Sequence, residues 1–136
     1  MVQHAITSVS IPVAWGEMDA YGHVNNAVFL RWLETARIRW FEDVAYPEAD
    51  GKTGPVLRTA LVEYLLPVKY PDTVQVTARP TKLGRSSVTL AYEVTSDAQR
   101  VVVAKGESVV VFADFVAGGS VPLPDDARAR IEARLA

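Results

Sequence analysis

Residues 15–43 read WGEMDAYGHVNNAVFLRWLETARIRWFED and are the most informative part of the chain. Asn25 is a residue type that often caps the start of a helix, and apolar residues follow it at helical spacing. The apolar stripe consists of Phe29, Leu33, Ala36 and Trp40. We therefore expect a long amphipathic helix from Asn26 to about residues 42–43, where two acidic side chains oppose the helix dipole.

Segments of alternating polarity flank this helix. Before it, apolar residues occupy every second position at Val9, Ile11, Val13 and Trp15. The alternation predicts a strand with one buried face, and Pro12, which has no amide hydrogen, predicts that this strand lies at a sheet edge. After the loop Tyr46–Pro55, further strands are predicted at about Val56–Lys69, Thr73–Thr81, Ser87–Thr95 and Arg100–Ala113. The short turns between these segments predict a four-stranded antiparallel meander.

The order of the elements predicts an α+β fold. One sheet needs one apolar cover, and only the helix from Asn26 is long enough to supply it. The simplest arrangement is an antiparallel sheet wrapped around that helix, with a short C-terminal helix within Pro124–Leu135. We interpret the large apolar helix residues as core, although those near the helix start could also line a site: Phe29, Trp32, Leu33 and Trp40.

Composition narrows the class of protein. The chain has 136 residues, of which 49% are hydrophobic and 22% charged, and this balance predicts one globular domain over residues 1–136. A net charge of −2 gives no electrostatic reason to expect nucleic acid as a partner. The absence of cysteine excludes disulfides and a cysteine nucleophile, and two distant histidines offer no metal-binding spacing. The sequence shows neither a signal-peptide pattern nor an apolar run that could span a bilayer, so we expect a cytoplasmic location without membrane insertion.

Asp19 lies a few residues before the predicted helix start. A helix N-terminus offers unpaired backbone N–H groups and a partial positive charge, which can polarise a carbonyl oxygen. A nearby carboxylate can attack the carbonyl carbon or activate a water against it. This arrangement favours acyl transfer, and the sequence leaves the choice between nucleophile and general base open.

The element order and the segment DAYGHVNNAVFLRWLETAR at residues 19–37 resemble the hotdog-fold acyl-CoA thioesterases. The branch most similar is the one named for 4-hydroxybenzoyl-CoA thioesterase. The resemblance implies hydrolysis of an acyl- or aroyl-CoA thioester, with Asp19 as the catalytic carboxylate and the backbone N–H of Asn26 as the group that polarises the carbonyl. Glu17 departs from the pattern, because many relatives have a second Asp at that position.

The resemblance also implies partners and further binding residues. The turn at residues 82–87 corresponds to a place where relatives often hold coenzyme A phosphates, which assigns substrate binding to Lys82, Arg85 and Ser86. Relatives form homodimers by joining two sheets edge to edge, with active sites between subunits, and the dimers often pair into homotetramers. Coenzyme A is then part of the substrate, with an acyl-carrier protein as the alternative thiol, and no metal or redox cofactor is expected.

Several residues have two interpretations each. Gly22 can permit a turn with positive φ, on which substrate binding depends, and Asn25 can cap the helix or contact the ligand. His23 can order the turn or act as a general base. Glu34 can form an ion pair with Arg37 or Arg31 on the helix surface, or serve as the catalytic carboxylate, as in a related hotdog branch. Lys82 and Arg85 can equally be a solvated turn.

Two other functions compete with hydrolysis. The first is a hotdog enoyl-CoA hydratase or dehydratase that uses His23 together with Asp19 or Glu34. The second is a non-catalytic module that binds acyl-CoA or an acyl-carrier protein. The sequence does not indicate the acyl group.

Overall fold

The computed structural model describes residues 6–135, so what the sequence predicts for residues 1–5 and 136 lies outside it. The elements are β1 (Thr7–Pro12), a 3₁₀ turn (Trp15–Glu17), α1 (Asn26–Asp43), β2 (Thr53–Tyr64), β3 (Thr73–Leu83), β4 (Ser87–Ser96), β5 (Val101–Asp114) and α2 (Asp125–Glu132). The five strands form one antiparallel sheet in the order β1-β3-β4-β5-β2. The predicted α+β hotdog arrangement, with one long helix covered by a curved sheet, is confirmed.

The predicted meander is wrong at its first connection. Strand β2 pairs with β5 rather than with β3, so residues 65–72 cross from one side of the sheet to the other. Both Leu65 and Leu66 donate their N–H groups to the carbonyl of Val103, and Pro67 has no N–H to continue the ladder. These contacts end β2 at Tyr64 instead of extending it to position 69. The crossover then passes the start of α1, where the Val24 N–H bonds to the Val68 carbonyl.

The first strand is also shorter than predicted. Strand β1 ends at Pro12, and Trp15 is 72% exposed in the 3₁₀ turn rather than on a buried strand face. The Glu17 side chain holds that turn by accepting the Ala14 N–H at 2.7 Å. The edge position that Pro12 predicted for β1 is confirmed, because among the described strands β1 pairs only with β3.

The core lies between α1 and the concave face of the sheet. The helix buries its predicted stripe, Phe29, Trp32, Leu33, Ala36 and Trp40, together with Arg37. Alternate residues of β3 and β4 face it: Val74, Val76, Ala78, Val88, Leu90, Tyr92 and Val94. Helix and sheet pack closely at Gly106 of β5, where an added Cβ would lie 2.6 Å from Leu33 Cδ1.

Helix α1 begins and ends as predicted, at Asn26 and Asp43. Its last turn holds no basic residue of its own. Instead, Arg130 of α2 donates to the carbonyls of Val44 and Ala45 at 2.8 and 2.7 Å. These guanidinium contacts supply the positive charge that the C-terminal end of a helix favours.

Within residues 6–135, neither helix has the length and apolar character needed to cross a membrane.

Candidate active site

A tight loop carries Asp19 to the start of α1. The Asp19 N–H bonds to the His23 carbonyl at 2.9 Å, and the Gly22 N–H bonds back to the Asp19 carbonyl at 3.0 Å. Gly22 has a φ of +79°, a conformation that side-chain-bearing residues rarely adopt, so the predicted positive φ is confirmed. The loop therefore holds the Asp19 backbone from both directions.

The Asp19 carboxylate is exposed and only half engaged. Its Oδ1 accepts the Tyr21 N–H at 2.9 Å. Its Oδ2 has no hydrogen-bond partner in the part of the chain that the structure describes. One oxygen thus orients the group, and the other remains open to a water or a substrate.

The first turn of α1 leaves one backbone donor free. The Asn25 side chain caps the helix by accepting the Ala27 N–H at 2.9 Å, and the Asn25 carbonyl accepts the Val28 N–H at 3.0 Å. The predicted cap is confirmed. The N–H of Asn26, which precedes these two donors, has no acceptor among residues 6–135. It is an unpaired amide at the positive end of the helix dipole.

A cavity of about 320 Å³ brings the carboxylate and this helix start together. Its lining includes three residues that the sequence singled out, Asp19, His23 and Asn26. The rest of the lining is Tyr21, Val24, Phe29, Tyr64, Leu66 and Pro67. Phe29 therefore belongs to both the core and the cavity, as its position near the helix start allowed.

Tyr64 is a site residue that the sequence analysis missed. It ends β2, and its hydroxyl donates to the Asn26 carbonyl at 2.9 Å. Its ring meets Phe29 edge to face, with centroids 5.1 Å apart. Desolvation by partial burial raises the pKa of the Tyr64 phenol above its ordinary value of 10.0, so the hydroxyl remains a donor at neutral pH. In the sequence Tyr64 was only a polar aromatic residue near the end of a predicted strand. Its contact with Asn26 depends on the crossover at residues 65–72, which the sequence did not predict.

His23 and Glu17 differ from Asp19 in their surroundings. The His23 imidazole is half-buried in the cavity lining and makes no hydrogen bond to the Asp19 carboxylate. Both carboxylate oxygens of Glu17 are engaged, one by the Ala14 N–H and the other by the Arg31 guanidinium at 2.8 Å. Glu17 therefore ties the 3₁₀ turn to α1.

Glu34 lies outside this cavity. It is eight residues along α1 from Asn26, about 12 Å of helix rise. Its carboxylate is 4.0 Å from the Arg37 guanidinium, a loose version of the predicted surface ion pair, whereas Arg31 pairs with Glu17 instead.

The predicted phosphate-binding turn is at the other end of the sheet. Ser87, next to Ser86, lies in line with Val56 across the ladder, whereas the cavity lies beside Tyr64. Eight residues of extended strand separate these levels, about 26 Å. Lys82, Arg85 and Ser86 are therefore not brought together with Asp19 within one chain.

A larger cavity, about 660 Å³, is at the C-terminal end of α1. It is lined by Phe41, Tyr46, Pro47 and Pro55 with the carboxylates of Glu42 and Glu48, and by none of the predicted site residues. Buried Tyr46 has a pKa raised by desolvation, and its hydroxyl has no partner in the described range. Size alone does not make this cavity a site, because the carboxylate and the free amide are at the other end of the helix.

Among residues 6–135 no group of three or more His, Cys, Asp or Glu side chains could hold a metal ion.

Comparison with known proteins identifies a family whose model matches most of this chain. A family model described as "Thioesterase-like superfamily" matches residues 13–131. The protein YsmA of Bacillus subtilis strain 168 is 27% identical over 82 residues, which are 60% of this chain and 56% of YsmA. The match thus spans about half the length of that curated relative.

Similar structures cover nearly the whole chain. A thioesterase from Thermus thermophilus, complexed with coenzyme A and Zn, is 38% identical with a TM-score of 0.79, over 91% of this chain and 95% of that one. The PA2801 protein of Pseudomonas aeruginosa is 36% identical with a TM-score of 0.83, over 92% and 97%. A predicted thioesterase from Bacillus stearothermophilus is 28% identical with a TM-score of 0.86, over 97% and 98%.

Proposed function

Because this chain belongs to the thioesterase-like superfamily, a family of thioester hydrolases, we propose that it cleaves an acyl- or aroyl-CoA into the free acid and coenzyme A. The geometry at the start of α1 is the observation that carries the proposal. A carboxylate with one open oxygen and an unpaired backbone N–H line the same cavity, at Asp19 and Asn26. These are the two groups that addition of oxygen to a carbonyl carbon requires.

In the proposed reaction the Asn26 N–H binds the thioester oxygen. Negative charge develops on that oxygen in the transition state, and the amide and helix dipole stabilise it there, a contribution of roughly 10²–10³ in turnover. The donor is a main-chain group, so replacing the Asn26 side chain does not remove it. Tyr64 supports this amide indirectly, because its hydroxyl binds the carbonyl of the same residue.

Asp19 supplies or activates the attacking oxygen. As a general base, its open Oδ2 takes a proton from water while the water oxygen bonds to the acyl carbon, which is worth about 10²–10⁴ in rate. As a nucleophile, the carboxylate forms a mixed anhydride that water then opens. In both routes the carbon–sulfur bond breaks, the electron pair leaves with the thiolate of coenzyme A, and one water molecule is consumed.

The partners follow from this reaction. Coenzyme A enters as part of the substrate, an acyl-carrier protein is the alternative thiol, and we propose that no resident cofactor takes part. The relative from Thermus thermophilus, which holds coenzyme A together with Zn, supports the choice of coenzyme A. A single domain over residues 1–136 and a cytoplasmic location stay predictions.

We further propose that the site is completed by a second copy of the chain. Strand β2 is an edge strand whose apolar side chains remain exposed, with Leu61 at 65%. Unpaired edges of this kind join to other strands. Two β2 strands that met antiparallel would bring the start of one next to the end of the other. The Lys82–Ser86 turn of one copy would then lie at the same end of the joined sheet as the Asp19 cavity of its partner.

The decisive experiment compares the parent with Asp19→Asn for thiol release from short-chain, long-chain and aromatic acyl-CoAs. We expect hydrolysis by the parent and at least about a hundredfold lower turnover in the variant on the best substrate. Asp125→Asn is the matched control, because Asp125 is exposed in the first turn of α2 and distant in sequence from the cavity lining. An Asp19→Asn variant with near-parent turnover removes this carboxylate from the mechanism.

The same samples test the competing functions. Loss of the conjugated absorbance of an enoyl-CoA, without thiol release, would assign the protein to the hydratases. Saturable binding of acyl-CoA with no turnover, unaffected by Asp19→Asn, would identify a binding module.

A further inference from the structure

Arg37 is a buried cation with little to neutralise it. It lies on α1 and is only 8% exposed. Among residues 6–135 the one carboxylate within 4.0 Å of its guanidinium belongs to Glu34, whose side chain is 57% exposed and which approaches only to that limit. A buried charge without a close counter-ion is costly, and its presence requires a reason.

The hydrogen bonds of Arg37 leave most of its donors unused. One guanidinium nitrogen, Nη1, donates to the Tyr92 hydroxyl at 3.3 Å. Nε and Nη2 have no hydrogen-bond acceptor in the described part of the chain. A guanidinium carries five N–H donors in a planar fork that matches a carboxylate.

The neighbouring Ser108 hydroxyl belongs to the same hydrogen-bonded cluster. The hydroxyls of Tyr92 and Ser108 are hydrogen-bonded to each other. Either hydroxyl can be the donor of this bond, and in one arrangement Tyr92, which accepts from Arg37, donates its own hydrogen to the Ser108 oxygen. The Ser108 hydrogen is then available to a further acceptor, so the cluster offers donors from both of its ends.

Arg37 and Ser108 line a cavity of about 240 Å³ between α1 and β2. Its walls are largely apolar, with Leu30, Leu33, Leu57 and Ala60, and Glu34 and Arg31 complete the lining. The cavity therefore suits a ligand that has a hydrocarbon part and an anionic end.

This cavity and the candidate active site lie at successive levels of the same two elements, although no described residue lines both. The active-site cavity is lined by Phe29 of α1 and Tyr64 of β2, and the Arg37 cavity by Leu33 and Ala60 of the same two elements. From Asn26 to Arg37 the helix rises about 17 Å. Arginine side chains lean toward the N-terminus of a helix, which shortens the separation of the reacting groups from the guanidinium.

We propose that the Arg37–Ser108 cavity binds a carboxylate at the far end of the acyl group, so that the preferred substrates are coenzyme A thioesters of dicarboxylic acids. The inference rests on the proposed hydrolysis at Asn26, because that site sets where the thioester end lies. The guanidinium neutralises the distal carboxylate, Ser108 donates to it, and the leucine walls cover the intervening methylene groups.

The test measures kcat/KM for paired substrates of equal length: adipoyl- and hexanoyl-CoA, suberoyl- and octanoyl-CoA, sebacoyl- and decanoyl-CoA. For the acyl length that reaches from the Asn26 amide to the Arg37 guanidinium, the parent is expected to prefer the dicarboxylic thioester about tenfold or more, the size of one charged hydrogen-bonding contact. In Arg37→Met that preference ratio falls to near one, and Ser108→Ala reduces it partly. Arg39→Met, an exposed arginine on the same helix, keeps the parent ratio.

A purely structural role for Arg37 gives a different result. Replacing a buried, poorly paired charge with an apolar residue of similar size is often neutral or stabilising, so Arg37→Met is expected to fold at least as well as the parent. A large fall in its melting temperature with an unchanged preference ratio overturns the proposal. Dissociation of a dimer by Arg37→Met also overturns it, because a carboxylate of the second copy would then be the counter-ion.

A binding measurement separates this inference from the proposed function. Calorimetric titration with free suberate is expected to show binding to the parent that Arg37→Met lacks. If no thioester is hydrolysed but suberate binds in this Arg37-dependent way, the proposed function fails and the anion site stands. If thioesters are hydrolysed with no preference for dicarboxylic acyl groups at any length, the anion site fails and the hydrolase stands.

Discussion

Two acidic residues in one loop differ in whether their carboxylates are free to react, and residue type alone does not reveal the difference. Glu17 and Asp19 are two positions apart, and either could have been a catalytic carboxylate by residue type alone. In the structure Glu17 engages both oxygens with Ala14 and Arg31, whereas Asp19 retains one open oxygen. The difference arises from Arg31, which approaches from the second turn of the helix.

At this scale Tyr64 offers a direct test. Tyr64→Phe removes the hydrogen bond to the Asn26 carbonyl while retaining the ring contact with Phe29. We expect kcat for the best thioester to fall about fivefold, the value of one net hydrogen bond, because the amide at Asn26 is held less firmly. Tyr70→Phe, whose hydroxyl makes no hydrogen bond within residues 6–135, serves as the control. Equal kcat values for Tyr64→Phe and the parent would remove Tyr64 from this supporting role.

Gly106 tests the closeness of helix and sheet. An alanine Cβ there would lie 2.6 Å from Leu33 Cδ1 and 3.1 Å from the Leu61 carbonyl oxygen, so the Leu33 side chain must shift and the neighbouring strand must give slightly. We expect Gly106→Ala to lower the free energy of unfolding by about 1–3 kcal/mol, as overpacked cores do. Urea denaturation measures the loss against Gly16→Ala, where nothing lies within 4 Å of the added carbon. A variant as stable as the parent would contradict the close packing.

At the scale of elements, α1 depends on other parts of the chain at its C-terminal end. Its start is closed by Asn25, a residue next to it in sequence, but its end is closed by Arg130 of α2 and by Arg134 just beyond that helix. The sequence predicted where α1 stops from its two acidic residues. It did not predict what neutralises that end, because the donors are 85 to 91 positions away.

Arg130→Ala tests this long-range cap. The change removes two charge-assisted hydrogen bonds to the carbonyls of Val44 and Ala45 and an ion pair with Asp126. We expect the free energy of unfolding to fall by about 1–2 kcal/mol, in the range of a cation at a helix C-terminus. The comparison is Arg39→Ala, which loses only an exposed pair with Glu42 and should change stability by less than about 1 kcal/mol. Similar losses in the two variants would show that α2 does not cap α1.

At the scale of the whole molecule, the position of β2 has the largest consequences. The crossover places β2 at an edge, exposes its apolar side chains and delivers Tyr64, Leu66 and Pro67 to the cavity beside Asp19. A meander would have paired β2 with β3 instead of β5, which would have moved Tyr64 away from its present place beside β5. The same connection therefore builds part of the candidate site and leaves a surface for a second copy.

Leu61→Lys tests assembly through this edge. A charge in the middle of an exposed edge strand opposes pairing with another strand, so light scattering is expected to show a dimer for the parent and a monomer for the variant. Turnover should fall with dissociation if the second copy completes the site. Val116→Lys places the same charge on an exposed residue of the turn after β5 and should leave the mass unchanged. A parent that is monomeric at all concentrations would contradict the proposed dimer.

The sequence by itself determined those features of the fold that depend on interactions between residues close together along the chain. Helical spacing and the Asn25 cap placed α1 from Asn26 to Asp43, Pro12 placed β1 at an edge, and Gly22 indicated a turn with positive φ. These features are decided by backbone sterics, capping and periodicity, all of which act over a few residues. The alternation of apolar residues wrongly placed Trp15 on the buried face of the first strand. In the structure Trp15 lies in a 3₁₀ turn, which is held by the hydrogen bond from the Ala14 N–H to the Glu17 side chain.

The tertiary structure alone decided which distant groups meet. The approach of Tyr64 to Asn26, the contact of Arg37 with Tyr92 and the arginine cap of α1 join residues 38 to 91 positions apart. The strand order likewise brings β2 beside β5, across two intervening strands of sequence. Such contacts depend on how the strands pair, and several of the strands have similar apolar patterns. The pairing of lowest free energy depends on how the whole core packs, so it cannot be predicted from any single segment of the sequence.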